Sequence, residues 1–215
     1  PTPTREHVNL TLHEALRTPA FYLLTIQVMV TSTAMTAITF HMVPHFTDVG
    51  ISNTAAATTV SLLTVGSMAS IFIWGTLADR LNAKLMLLVA LLALEGGAVL
   101  VAISTTELGA YASSAIFGIG MAGYLLLSEV VWADFFGRRH LGSIRGTTMM
   151  FQLAGNASGS LIAAFMFDLS GSYDGAFKMI FILYAISFTV LLVARRPKRP
   201  TGMLADSDVG QRPTG

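Results

Sequence analysis

Six runs of mostly apolar residues, each about twenty long, follow one another at positions 20–43, 56–77, 85–103, 109–133, 146–167 and 176–194. A helix needs about 20 such residues to cross the ~30 Å hydrocarbon layer of a membrane. The polar breaks between the runs are short, and the runs lack the apolar/polar alternation of barrel strands. In lipid every backbone N–H and C=O must find its partner inside its own segment, which a helix provides. The pattern predicts an all-α integral membrane protein built as a six-transmembrane-helix bundle.

Composition strengthens this reading. Of 215 residues, 53% are hydrophobic and only 12% are Asp, Glu, Lys or Arg, against about 25% charged in a soluble domain. Mean hydropathy is +0.65. A net charge of +1 offers no field to attract nucleic acid, so no nucleic-acid partner is expected. The absence of cysteine removes disulfides and thiolate metal sites. The chain opens at Pro1, and no basic stretch with a short apolar core and cleavage site precedes the first run. Such a start reads as that of a processed or truncated chain. Residues 197–215 are rich in Pro, Gly and Asp and predict a disordered tail.

Lys and Arg set the orientation. Arg5, Arg17, Arg80, Lys84, Arg138, Arg139, Arg145, Arg195, Arg196, Lys198, Arg199 and Arg212 fall on one side of the alternating spans, and Lys178 alone on the other. Both termini are therefore expected in the cytoplasm.

The segment GTLADRLNAK, residues 75–84, lies in the connection between the second and third spans. It resembles the G-x-L-A-D-R-x-G-R-K signature of the major facilitator superfamily. Gly75, Leu77, Ala78, Asp79, Arg80 and Lys84 match, Asn82 replaces the second Gly, and Ala83 replaces a basic residue. Asn tolerates φ > 0 better than most residues, so the turn is expected to survive. Three further stretches resemble the bacterial monocarboxylate-transporter-like and oxalate:formate-antiporter-like members. They are FFGRRHLGSIRG at 135–146, DLSGSYDGAF at 168–177 and FHMVPHFTDVG at 40–50.

The resemblance implies that the chain is the C-terminal half, helices seven to twelve, of a twelve-helix carrier. Residues 1–18 would end the central cytoplasmic loop, and 19–196 would form the six-helix domain. The implied location is the bacterial inner membrane, and the implied partner is an N-terminal six-helix half. The implied function is secondary active transport of a small organic solute, a carboxylate being one candidate, with protons as the coupling ion. Gly75, Asp79, Arg80, Lys84, Arg138, Arg139 and Arg145 become candidates for a cytoplasmic gate. A surface Gly admits a close helix, and an Asp beside it can accept from another helix's N-terminal N–H groups. The plainer reading of the same charges is that they hold the loop on its side of the membrane.

Polar residues inside the runs form two stripes at helical spacing. One holds Gln27, Thr31, Ala34, Ile38, His41 and His45, and the other Thr148, Gln152, Asn156, Gly159 and Ala163. They are read as lining a solute cavity, or as interhelical hydrogen bonding. Gln27, Thr31, His41, Tyr124, Gln152 and Asn156 are the cavity candidates. His41 and His45 have the spacing of two metal ligands, but Pro44 intervenes and no third ligand is near, so neither metal nor cofactor is expected. His41 is better motivated as a proton or anion sensor.

Glu95 and Glu129 are the carboxylates well inside runs and the candidates for proton coupling, Glu129 first. No Lys or Arg lies in the interior of the second or fifth run, which leaves a carboxylate solute without an obvious counter-charge. Rival classes are less well supported. GNASG at 155–159 only loosely resembles the Gly-x-Ser-Gly of rhomboid-type proteases and lacks a matching His in the last span, so no enzyme is expected. A channel would want a pore helix or a charged ring. A complete six-span half-carrier that dimerises, or a structural subunit, is the remaining alternative.

Overall fold

The computed structural model describes residues 9–170 and 173–197. The expected disordered tail lies, beyond Pro197, outside these residues, as do Arg5, Lys198, Arg199 and Arg212. The helices are α1 (Leu12–Leu16), α2 (Pro19–Asp48), α3 (Asn53–Arg80), α4 (Ala83–Ile103), α5 (Glu107–Phe136), α6 (Leu141–Ser170) and α7 (Asp174–Val193). All but α1 are long and apolar enough to span a membrane, and no strand occurs among the described residues.

The starts of α1 to α5 are written in the sequence as caps, whereas α7 follows Tyr173 without a side-chain cap. Thr18, Ser52, Asn82 and Thr106 present side-chain oxygens to the N–H groups of Phe21, Ala55, Leu85 and Gly109. Pro19 occupies the first turn of α2, where no N–H is needed. Thr11 and Glu14 form a capping box on α1. The backbone N–H and hydroxyl of Thr11 hold the Glu14 carboxyl below its usual range. Gly137, at φ 85°, ends α5 in a conformation that other residues rarely adopt.

Two boundaries differ from expectation. The first span continues through Pro44 to Asp48, because buried Met42 and Phe46 hold the helix in the bundle on both sides of the proline. Asn82 has φ −67° instead of a positive value: it is the N-cap of α4, so its role is to start a helix.

The six long helices form two trios. In one, α5 packs along α3 and α4; in the other, α2 packs along α6 and α7. The closest contacts in each are made at glycines. A Cβ on Gly118 would lie 2.1 Å from Leu63 O of α3, and one on Gly120 would lie 2.3 Å from Leu94 N of α4. A Cβ on Gly159 would lie 2.1 Å from Thr33 O of α2. Without a driving force from water, such backbone approach is how helices associate in lipid. Trp74 lies over Gly123 and donates from Nε1 to Ile119 O at 2.9 Å.

The trios meet through α4 with α7 and α2 with α3. Two helices are the most open. Only 22% of the apolar window of α3 and 17% of that of α6 is buried, against 56% for α2 and α5.

Candidate functional site

Antiparallel packing gathers the start of α2, the end of α3, the start of α4, the end of α5, the start of α6 and the end of α7 at one end of the bundle. Among the described residues, Arg17, Arg80, Lys84, Arg138, Arg139, Arg145, Arg195 and Arg196 all lie there, and Lys178 lies at the other end.

Arg145 organises this end. Because α6 begins at Leu141, Arg145 is already inside the helix, and its side chain is only 13% exposed. Its Nε donates to Glu129 Oε2 of α5 at 3.0 Å, and its Nη2 pairs with Glu129 Oε1. Nη1 donates to Thr148 Oγ1 at 3.1 Å, Nη2 reaches Gln152 Oε1 at 3.5 Å, and the guanidinium sits 5.4 Å above the Trp132 ring. The fork of the guanidinium matches a carboxylate at two points, which makes this a well-oriented ion pair. Glu129 is the more open partner, at 53%. It lines a cavity of about 780 Å³ together with Asn82, Asp134, Arg138 and Arg196.

The remaining gate candidates separate. Lys84 turns away from Asp79 and Arg80: its ammonium donates to Leu192 O at 2.8 Å and Ala194 O at 2.6 Å, capping the end of α7. Asp79 and Arg80 are exposed, and their side chains make no ion pair or hydrogen bond among the described residues. Asp79 stands in the last turn of α3, where the helix dipole disfavours a negative charge. Gly75 has open space where a Cβ would point. Arg138 is exposed on the cavity wall, and the Arg139 N–H donates to Asn9 Oδ1 at 3.4 Å. Arg196 pairs with Asp134 and so ties the end of α7 to α5.

The cavity candidates also divide. Gln27 and Thr31 are buried and meet Ser187 of α7: Gln27 Nε2 donates to both hydroxyls at 3.2 Å, and the two hydroxyls are 2.5 Å apart. In this conformation their polar atoms serve helix packing. The buried Tyr124 side chain neighbours Gln27, Thr31 and Ser128, but its hydroxyl lacks a well-formed hydrogen bond. Gln152 and Asn156 remain half-open, Asn156 accepting from Thr36 Oγ1 at 3.1 Å.

At the far end His41 is half-open, with Nε2 3.2 Å from Ser160 O and Nδ1 3.4 Å from the Tyr173 hydroxyl. Burial, with Asp48 and Asp168 nearby, pushes the Tyr173 phenol above its usual range. His45 packs edge-on against Phe177 at 4.7 Å, and both histidine rings pack on Tyr173, His41 at 5.4 Å and His45 at 6.1 Å. Glu95 is half-buried in α4 and has no hydrogen bond or ion pair among the described residues. Ser158 donates to Gly155 O at 3.0 Å, within the α2–α6 glycine contact.

Sequence reasoning missed Ser187, Trp132 and the Arg196–Asp134 pair. Ser187 was visible as a hydroxyl inside an apolar run, but periodicity cannot say which helix it faces.

The described residues thus form a six-span bundle with a polar network around Arg145 at one end. The family model described as Major Facilitator Superfamily matches residues 23–213, most of the chain. The chain thus belongs to the major facilitator superfamily and is a membrane transporter of that kind.

Proposed function

We propose that this chain is the C-terminal half of a twelve-helix secondary transporter that moves a small organic solute by alternating access, coupled to protons. The observation that carries the reading is the Arg145–Glu129 pair, set between two spans and reaching Gln152 one face further in. Protonation of Glu129 neutralises it and releases the guanidinium. A solute carboxylate then takes the vacated fork, with Thr148 and Gln152 as neutral partners. Arg145 supplies the counter-charge that the interiors of the second and fifth runs lack. That favours the carboxylate class and, with it, the monocarboxylate-like and oxalate:formate-like relatives.

The second half of the carrier is argued from open surface. Among the described residues Asp79 has no partner at its unfavourable helix end, and Gly75, Gly142 and Gly146 leave space that none of them fills. A helix N-terminus brought to Asp79 would satisfy it. In this reading the arginine-rich end faces the cytoplasm of a bacterial cell, and rocking of one half on the other exposes the cavity to each side in turn.

The test is transport by the full-length protein in vesicles. Glu129→Gln is expected to abolish uptake driven by a pH gradient while leaving solute exchange. Uptake that still follows the pH gradient would remove Glu129 from the mechanism. Melting measured across a panel of small organic acids is expected to rise with a carboxylate in the wild type and not in Arg145→Gln.

A further inference from the structure

Between the start of α2 and the end of α7 a crevice of about 620 Å³ opens at the arginine-rich end, apart from the Arg145 cluster. Pro19, Leu23, Leu192 and Val193 wall it, and Leu192 and Val193 are 50% and 61% exposed. Arg195 and Arg196 also line it, and no carboxylate does among the described residues. Arg196 is neutralised by Asp134, whereas Arg195 has neither ion pair nor hydrogen bond among the described residues. The Lys84 ammonium, bonded to Ala194 O, adds a second positive charge beside the Arg195 backbone. Among the described residues, one wall is therefore carbon and the other carries the Arg195 charge without a carboxylate partner.

The two parts stand at different depths. Leu23 lies four residues into α2 from Pro19, about 6 Å at helical rise, and Leu192 and Val193 are the last residues of the α7 span. Arg195 follows two residues past that span. Carbon walls thus reach acyl-chain depth, and the cation sits where headgroups lie. A free anion would satisfy Arg195 and leave the walls wet. A lipid anchored only by its tail would leave the charge unmatched.

We propose that this crevice binds an anionic glycerophospholipid, one acyl chain lying along Leu23, Leu192 and Val193 and the headgroup phosphate resting on Arg195. The lipid would tie the first span of the bundle to its last at the membrane surface.

Native mass spectrometry of the purified full-length protein, titrated with phosphatidylglycerol or phosphatidylcholine, tests this. Phosphatidylglycerol is expected to be retained in preference. Arg195→Gln, at an exposed position outside the helices, is expected to weaken that retention about fivefold, the effect of one basic residue at an anionic surface. Leu192→Trp, which fills the crevice, is expected to weaken it too. Equal retention of the two lipids, or retention unchanged in Arg195→Gln, would overturn the proposal. So would inorganic phosphate raising the melting temperature as much as phosphatidylglycerol does, since that would mark a site for a free anion.

Discussion

Gly118 in α5 and Gly146 in α6 are both glycines inside membrane helices, yet their surroundings are opposite. A Cβ on Gly118 would press into the backbone of α3 at 2.1 Å, whereas a Cβ on Gly146 would meet nothing within 4 Å. Gly66, Gly97, Gly120, Gly155 and Gly159 belong with the first; Gly75, Gly96 and Gly142 belong with the second. A helical glycine costs about 1 kcal/mol relative to alanine, and the first group offsets that cost by close helix approach within the chain. The second group has no such compensation here. Apart from Gly96 of α4, it lies on α3 and α6, the two least buried helices. The contrast teaches that one residue type marks two kinds of surface: seams that assemble the bundle, and a face that the described residues of the bundle leave open.

The largest expected effect lies in the seams. Gly118→Val and Gly159→Val drive apart α3–α5 and α2–α6 respectively, costing about 1–3 kcal/mol or more. A sharp fall in monodisperse yield and melting temperature should follow, and an unchanged melt would refute the seam assignment.

Gly146→Ala should act with the opposite sign. It is expected to stabilise the helix by about 1 kcal/mol, raising the melting temperature of this chain in detergent, while slowing transport by the full-length carrier. Faster or unchanged transport would mean that nothing packs closely there. The smallest effect is expected at Ser187→Ala, which removes one interhelical partner of Gln27 and Thr31 at about 0.6 kcal/mol. A much larger loss in thermal stability would show that Gln27 is left buried and unpaired.

The spans were legible because hydrocarbon is a demanding solvent: a run of apolar residues broken at polar caps has only one way to satisfy its backbone. The charge bias was equally plain, since it needs only counting. Partners were harder to read. Lys84 looked like part of the Asp79–Arg80 cluster by sequence neighbourhood, yet it caps α7, more than a hundred residues away. Gln27 and Thr31 lay on a polar stripe, but a stripe gives a face and not the surface it meets; theirs meets Ser187. Arg145 was visible as a charge at a run's edge. Only the earlier start of α6 turns it into the bundle, where it joins Glu129, Thr148 and Gln152.

The central claim is that the α6 face bearing Gly142 and Gly146 is covered by a second helical half. Met149 shares that stripe and is 58% exposed. A photo-reactive diazirine side chain placed at Met149 of the full-length protein in native membranes, with its cross-links mapped by mass spectrometry, tests the claim most directly. The account predicts cross-links to protein segments outside residues 1–215; cross-links to lipid alone would contradict it.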